Sequence, residues 1–161
     1  MDVYEFLDRN RIKFERHDHP PVFTCEQARE LVKIDGGADT KNLFLRDKKG
    51  TRHFLVVVGY EKALDLAKLS ELVGVSRLQM ASSECLNEVL SIEPGSVSLL
   101  ALVNDRDNRV ELIIDKTIWS ADCVRCHPLV NTTTLLIPQN DLRQFLELTG
   151  HDVTVLRVPA K

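Results

Sequence analysis

The sequence predicts a mixed α/β fold (α+β), a mixed sheet surrounded by helices, and three features carry that prediction. Strand signals and helix-capping signals alternate along the chain instead of separating into blocks. The run Phe54-Leu55-Val56-Val57-Val58 is continuously apolar, as expected of a strand covered on both faces. The polar turn Asp47-Lys48-Lys49-Gly50 joins it to the strand before it as a hairpin, which argues against a doubly wound sheet.

The elements follow in chain order. Asp2 is placed to cap a helix carrying Val3, Phe6 and Leu7, after which Ile12, Phe14 and Arg16 alternate as a short strand. His19-Pro20-Pro21 interrupts that strand, and Thr24 and Gln27 have the spacing of a capping box before Ala28, Leu31 and Val32. Gly36-Gly37 ends the helix so started. Strands are expected over residues 42–46 and 52–58, helical segments over 62–68 and 71–73, and a further strand over 78–80. Ser83 is read as the cap of a helix ending near Leu90. Pro94-Gly95 is a turn, strands over 97–103 and 110–114 flank the turn Asn104-Asp105, and residues 132–137 form a β-branched strand. A last helix over 141–149 stops at Gly150, before a strand over 153–158.

The 161 residues are expected to form one domain with a core of its own, and an apolar share of 43% with a charged share of 28% is ordinary for such a chain. A net charge of -3 argues against sequence-blind coating of DNA, which needs many Lys and Arg on phosphates, but leaves room for a small RNA footprint. No apolar stretch approaches the roughly 20 residues of a membrane span, and no export signal precedes the fold. A cytosolic chain is therefore expected, with Cys25, Cys85, Cys123 and Cys126 reduced.

The loudest local pattern, Cys123-Val124-Arg125-Cys126-His127, matches the C-x-x-C-H signature of covalent haem attachment. That chemistry belongs to exported chains, a zinc site would need two more ligands at paired spacing, and a redox dithiol favours a βαβ context. Packing cysteines are the favoured reading. His17-Asp18-His19 can present two imidazoles on one side of a strand but lacks a third ligand, and His53 and His151 are read as surface or hydrogen-bonded residues. No Gly-rich phosphate loop, H-E-x-x-H or G-x-S-x-G is present. Two polar segments are harder to explain by packing. In Asp39-Thr40-Lys41-Asn42-Leu43-Phe44-Leu45 a lysine stands at the mouth of an apolar strand, and His127-Pro128-Leu129-Val130-Asn131 leads into another. Taken alone, the first is also a solvated strand end and the second a capped turn.

Together with His19-Pro20-Pro21-Val22-Phe23-Thr24, Pro94-Gly95-Ser96-Val97-Ser98 and Gly150-His151, these segments resemble the YbaK-like deacylases, in particular the freestanding alanyl-tRNA(Pro) type. The resemblance implies a central, partly barrel-like sheet and hydrolysis of the ester that joins a wrong amino acid to tRNA. It carries over the active-site lysine to Lys41, the pocket histidine to His127 and the substrate loop to Gly95 and Ser96, with Asn131 in the histidine motif. This chain departs from the family at Ser98-Leu99-Leu100, where a proline is common, and Cys123 and Cys126 are not part of the pattern.

The residue types suit the reaction. Ester hydrolysis builds negative charge on the carbonyl oxygen, which preorganised donors stabilise by about 2.7–4 kcal/mol each. Lys41 can serve that oxygen or the terminal phosphate, and backbone N–H groups around Gly95 and Ser96 can serve as neutral donors. With no Ser/His/Asp triad to assign, direct attack by water is favoured, its base being His127, a backbone carbonyl or a ribose hydroxyl. The expected partner is a tRNA acceptor end carrying a small amino acid, with prolyl-tRNA synthetase a second candidate. No membrane contact, cofactor or metal is expected, and the chain is expected to act as a monomer. Lys48, Lys49 and Arg52 are candidates for phosphate contact, against the alternative of a solvated hairpin. Competing readings are a deacylase for seryl- or cysteinyl-tRNA, a non-catalytic tRNA or synthetase accessory module, and a metal or redox protein using Cys123 and Cys126.

Overall fold

The computed structural model describes residues 2–21 and 36–161. The capping box at Thr24 and Gln27 lies outside these residues, as does Cys25. Helix α1 (Val3–Arg9) begins at Asp2, whose side chain accepts the Tyr4 N–H at 2.8 Å. Strand β1 is Glu15–Asp18, so pairing starts after Ile12 and Phe14, of which Ile12 is a core residue. Strands β2 (Thr40–Asp47) and β3 (His53–Gly59) form the expected hairpin. Next come α2 (Leu66–Val73), β4 (Leu78–Met80) and α3 (Ser83–Leu90), with Ser82 rather than Ser83 as the cap of α3. Two 3-10 turns, Pro94–Ser96 and Leu99–Asn104, precede β5 (Val110–Asp115), α4 (Lys116–Trp119) and β6 (Cys123–Cys126). Strand β7 (Thr133–Pro138), helix α5 (Gln139–Thr149) and strand β8 (Val153–Leu156) complete the order.

The strands make two sheets, a mixed one in the order β4-β2-β3-β5-β8 and an antiparallel one in the order β1-β7-β6. Pairing is antiparallel on the β2 side of β3, and parallel between β3 and β5 and between β5 and β8. Strand β3 is central, and all of His53 through Val58 is buried, as its apolar run requires. Alternation sends Leu55 and Val57 into one core with Phe44, Leu112, Val124 and Phe145, and Val56 and Val58 into a second with Leu45, Leu69 and Ile113. The sheets do not close into a barrel among the described residues. They are joined by the parallel bridge Ala38–Val124 and by Thr40, whose Oγ1 donates to the Arg125 carbonyl at 3.0 Å.

Three further assignments from sequence change. The strand expected over 97–103 is a 3-10 turn, because the Ser98 hydroxyl accepts the Leu100 N–H at 3.2 Å and Leu99, Leu100, Ala101 and Leu102 are buried on every side. A short apolar run of that kind does not distinguish strand from buried helix by periodicity. Residues 62–65 are not helical; they hold a bridge between Leu64 and Ala160 instead. His53 is buried and stacked on Phe44, with ring centroids 5.9 Å apart, so it is not a surface residue. His151 is the hydrogen-bonded residue expected, tied to Asp105 Oδ2 and Thr149 Oγ1 at 2.8 Å each.

Candidate active site

The site is built where the two sheets meet. Arg125 grips the segment before β2: its Nη1 is 2.6 Å from Asp39 Oδ1, and its Nη2 donates to the Gly36 carbonyl at 2.8 Å. Gly37, at φ +76°, passes so close to β7 that a Cβ there would lie 2.8 Å from Leu136 Cδ2, which explains the need for glycine. These contacts set the register of Ala38 against Val124, with the Ala38 N–H donating to the Cys123 carbonyl at 2.9 Å. Continued in parallel, that register brings the start of β2 level with the end of β6, where His127 stands.

His127 is partly buried, and its Nδ1 lies 3.2 Å from the Thr133 carbonyl. A carbonyl only accepts, so Nδ1 carries the proton in that contact and Nε2 keeps its lone pair. Burial holds the imidazole below the usual histidine range; the Thr133 carbonyl opposes that shift and nearby His19 adds to it. The main chain of His127 is fixed as well, since the fully buried Ser98 donates its hydroxyl to the His127 carbonyl at 2.5 Å. That bond fastens the Gly95 loop to the histidine loop. Beyond His127, Leu129 sits at φ +68°, an uncommon conformation for a branched side chain and a sign that packing over-determines the loop carrying Asn131.

Not every expected residue falls where the motifs suggested. Lys41 is half-buried and leaves β2 on the face of Leu43 and Leu45, whereas Thr40 and Asn42 share the Phe44 face that looks toward β6. Lys41 therefore adjoins the joint between the sheets on the face away from the core that Val124 and Cys126 enter. Gly95 is exposed, has no left-handed backbone and has nothing within 4 Å of the position a Cβ would take, so its turn presents an open surface. The Ser96 N–H is engaged by the Glu93 carbonyl at 2.9 Å, which makes it a poor neutral donor in this conformation. The residue missed from sequence is Asn42. Its Oδ1 is buried with no hydrogen-bond partner among the described residues, although its place beside Lys41 on the alternate face was a usable signal.

Among the other polar candidates, His17 Nε2 lies 3.0 Å from Glu15 Oε1 without a hydrogen bond to it, whereas His19 is engaged, spanning the Pro20 carbonyl and Thr134 Oγ1 at 2.9 and 2.8 Å. Cys126 is a core residue whose thiol burial pushes up to about 12, so it is a protonated packing group at neutral pH. Arg52 makes a two-pronged pair with Glu111 at 2.8 and 2.7 Å and lies over the Phe54 ring.

Such a joint, with a lysine strand, a partly buried neutral histidine and a surface turn tied to it, is an arrangement suited to polarising and hydrolysing an ester. The chain belongs to the aminoacyl-tRNA editing domain family, which it matches over residues 19–145. It is 38% identical over 157 residues to the zebrafish (Danio rerio) prolyl-tRNA synthetase associated domain-containing protein 1, covering 96% of this chain and 85% of that one. It is 33% identical over 145 residues to the prolyl-tRNA editing protein ProX of Acetoanaerobium sticklandii, covering 90% and 88%. A crystal structure assigned provisionally as a trans-editing enzyme for prolyl-tRNA synthetase shares the fold, with a TM-score of 0.70, 22% identity and coverage of 98% and 96%.

Proposed function

We propose that this protein is a trans-editing aminoacyl-tRNA deacylase that hydrolyses mischarged tRNA(Pro), with alanyl-tRNA(Pro) as its substrate. Membership of the editing family supports the class, and two curated relatives carry prolyl-tRNA in their names. The observation that supports the mechanism is the Ser98–His127 bond, which ties the loop after Gly95 to the main chain of a histidine kept neutral by burial. In this reading His127 Nε2 takes a proton from the attacking water while Nδ1–H is held on Thr133. The orphan Asn42 Oδ1 offers an acceptor to the substrate's α-ammonium, and Lys41 attracts the terminal phosphate or the developing oxyanion. No covalent enzyme intermediate is required. Asn131 belongs to the loop that bounds the histidine side, and the reaction fits a cytoplasmic protein that works on tRNA released by prolyl-tRNA synthetase.

The need for such a sieve is physical. A synthetic pocket sized for proline excludes a smaller side chain weakly, since a methylene is worth roughly 1–3 kcal/mol. A deacylation panel tests the proposal: alanyl-, prolyl-, seryl- and cysteinyl-tRNA, each with the natural protein and with Lys41→Ala. Alanyl-tRNA(Pro) should be cleaved orders of magnitude faster than prolyl-tRNA(Pro). Preference for the seryl or cysteinyl ester would move the substrate within the class, and no cleavage of any ester would leave a tRNA or synthetase accessory module.

A further inference from the structure

The hairpin lysines proposed from sequence to meet phosphate are at the wrong end of the sheet. Lys48 follows Lys41 by seven residues, about 23 Å of strand at about 3.3 Å per residue. Arg52 is already committed to Glu111. A different group of cations borders Lys41. The pairing puts Lys41 opposite Val58, Ile114 beside Val57 and Leu156 beside Asp115. Lys41, Val58, Asp115 and Leu156 thus form one row across the sheet, and Lys41 and Asp115 stand about 10 Å apart at two strand spacings. Asp115 also shares the sheet face of Ile113 and Val58, the face on which Lys41 leaves its strand.

Beyond this row, past the carboxyl ends of β3, β5 and β8, two adjoining cavities of about 420 and 440 Å³ open to solvent. Their floor is rigid. Asp115 is 1% exposed, its Oδ2 is 2.6 Å from Lys62 Nζ, and its Oδ1 accepts the Val158 N–H at 3.3 Å. Lys62 closes the clamp by donating to the Val158 carbonyl at 2.8 Å. The rim carries Lys116, Arg157 and Lys161, all exposed and none in an ion pair among the described residues, against a single rim carboxylate, Glu61. Lys62 and Asp115 cancel, so among side chains the rim holds three cations against one carboxylate, on a chain whose side chains sum to -3.

We infer that Lys116, Arg157 and Lys161 form a phosphate-binding rim that carries the sugar-phosphate backbone of the tRNA acceptor strand away from the ester; this inference rests on the deacylase reading. The strand must leave the reaction centre as a polyanion, and these are cations without an ion pair among the described residues, at the sheet end where Lys41 stands. An open trough suits a chain passing over it better than an enclosed small ligand. Arg157 offers the planar fork that matches phosphate oxygens, and the two lysines add mobile point charges.

The test is the triple variant Lys116→Ala, Arg157→Ala, Lys161→Ala, compared with Lys48→Ala, Lys49→Ala at the far hairpin. Affinity for uncharged tRNA(Pro) would be measured against salt, and hydrolysis would be followed on alanyl-tRNA(Pro) and on an alanyl ester of adenosine, which has no phosphate. The triple variant should bind tRNA roughly tenfold more weakly at low salt, and its log K against log[salt] slope should flatten by about 2 for three single-strand contacts. Cleavage of the adenosine ester should be unchanged. Unaltered affinity and slope in the triple variant would overturn the rim, as would an equal loss in the hairpin variant. If the rim governs tRNA binding while the natural protein cleaves neither ester, the rim stands and the deacylase reading falls.

Discussion

Ser98→Ala is the substitution that most directly joins the fold to the proposed chemistry. Ser98 is fully buried, donates to the His127 carbonyl and accepts the Leu100 N–H. Alanine leaves both backbone groups without that partner, and each orphaned buried group costs about 1–3 kcal/mol. Relaxation of the turn recovers part of the sum, so a loss of about 3 kcal/mol is expected. At about 2–4 °C per kcal/mol for a chain of this size, the midpoint of thermal unfolding should fall by about 6–12 °C. The functional effect should be separable, because the bond fixes the distance between the Gly95 turn and His127. Single-turnover deacylation of alanyl-tRNA(Pro), measured well below the new midpoint, should slow by at least about tenfold, the scale of small misplacements in a catalytic constellation. A large fall in melting temperature with an unchanged rate would show that Ser98 only supports the core. A loss under about 1 kcal/mol would refute the account of the bond itself.

Lys41→Ala should abolish most deacylation with little change in thermal unfolding, since its half-buried stem adds little to the core; unchanged turnover would remove it from the mechanism. Burial keeps His127 below the ordinary histidine range, so its native form is neutral: its contribution to stability is complete above the unfolded value near 6.5 and is lost as pH falls through the folded one. The kcat/KM profile should therefore be flat through neutrality with its acid limb below pH 6.5, and an acid limb above 6.5 would contradict the assignment of His127 as base. Asp105→Asn should cost about 2–4 kcal/mol in urea unfolding without altering kcat, because the carboxylate accepts the Arg109 and Val110 N–H groups at 2.9 Å and pairs with His151, and an amide cannot accept on both sides. Cys123→Ala with Cys126→Ala should leave activity within a few fold and chelators should have no effect; stoichiometric zinc, or inactivation by a chelator, would revive the metal reading.

Much of the fold was legible because the decisive signals were local. Asp2 beside a helical apolar pattern, a polar hairpin turn between two apolar strands and Gly150 after Thr149 each act over a few residues, and the elements they mark are present. What the sequence concealed was set by tertiary contact. Residues 97–103 have the composition of a strand, but among the described residues no strand pairs with them, and a serine cap with burial on all sides makes a 3-10 turn instead. Strand β6 went unseen because four residues reading Cys-Val-Arg-Cys carry little β signal, and it exists through pairing with β7. The closest approach to a barrel, the Ala38–Val124 bridge, depends on Arg125 holding Asp39 and the Gly36 carbonyl, a contact with no sequence periodicity at all.

The site shows the same division at the level of side chains. Motif order pointed to Lys41, Gly95 and His127, yet order along a chain says nothing about which face of a strand a residue takes. Alternation in β2 turns Lys41 toward the row of Val58 and Asp115 and turns Asn42 toward the joint with β6, so neighbours in one motif serve different surfaces. This division fits a substrate with two unlike ends. Asn42 Oδ1 is buried without a partner among the described residues and His127 is partly buried and held neutral, which in the proposed reading suits an aminoacyl group with one ammonium and a reacting carbonyl. The sheet end beside Lys41 opens onto exposed cations, which suits a polyanion. On the proposed function, an ester of amino acid and RNA needs both surfaces at once, and its scissile bond would lie where they meet.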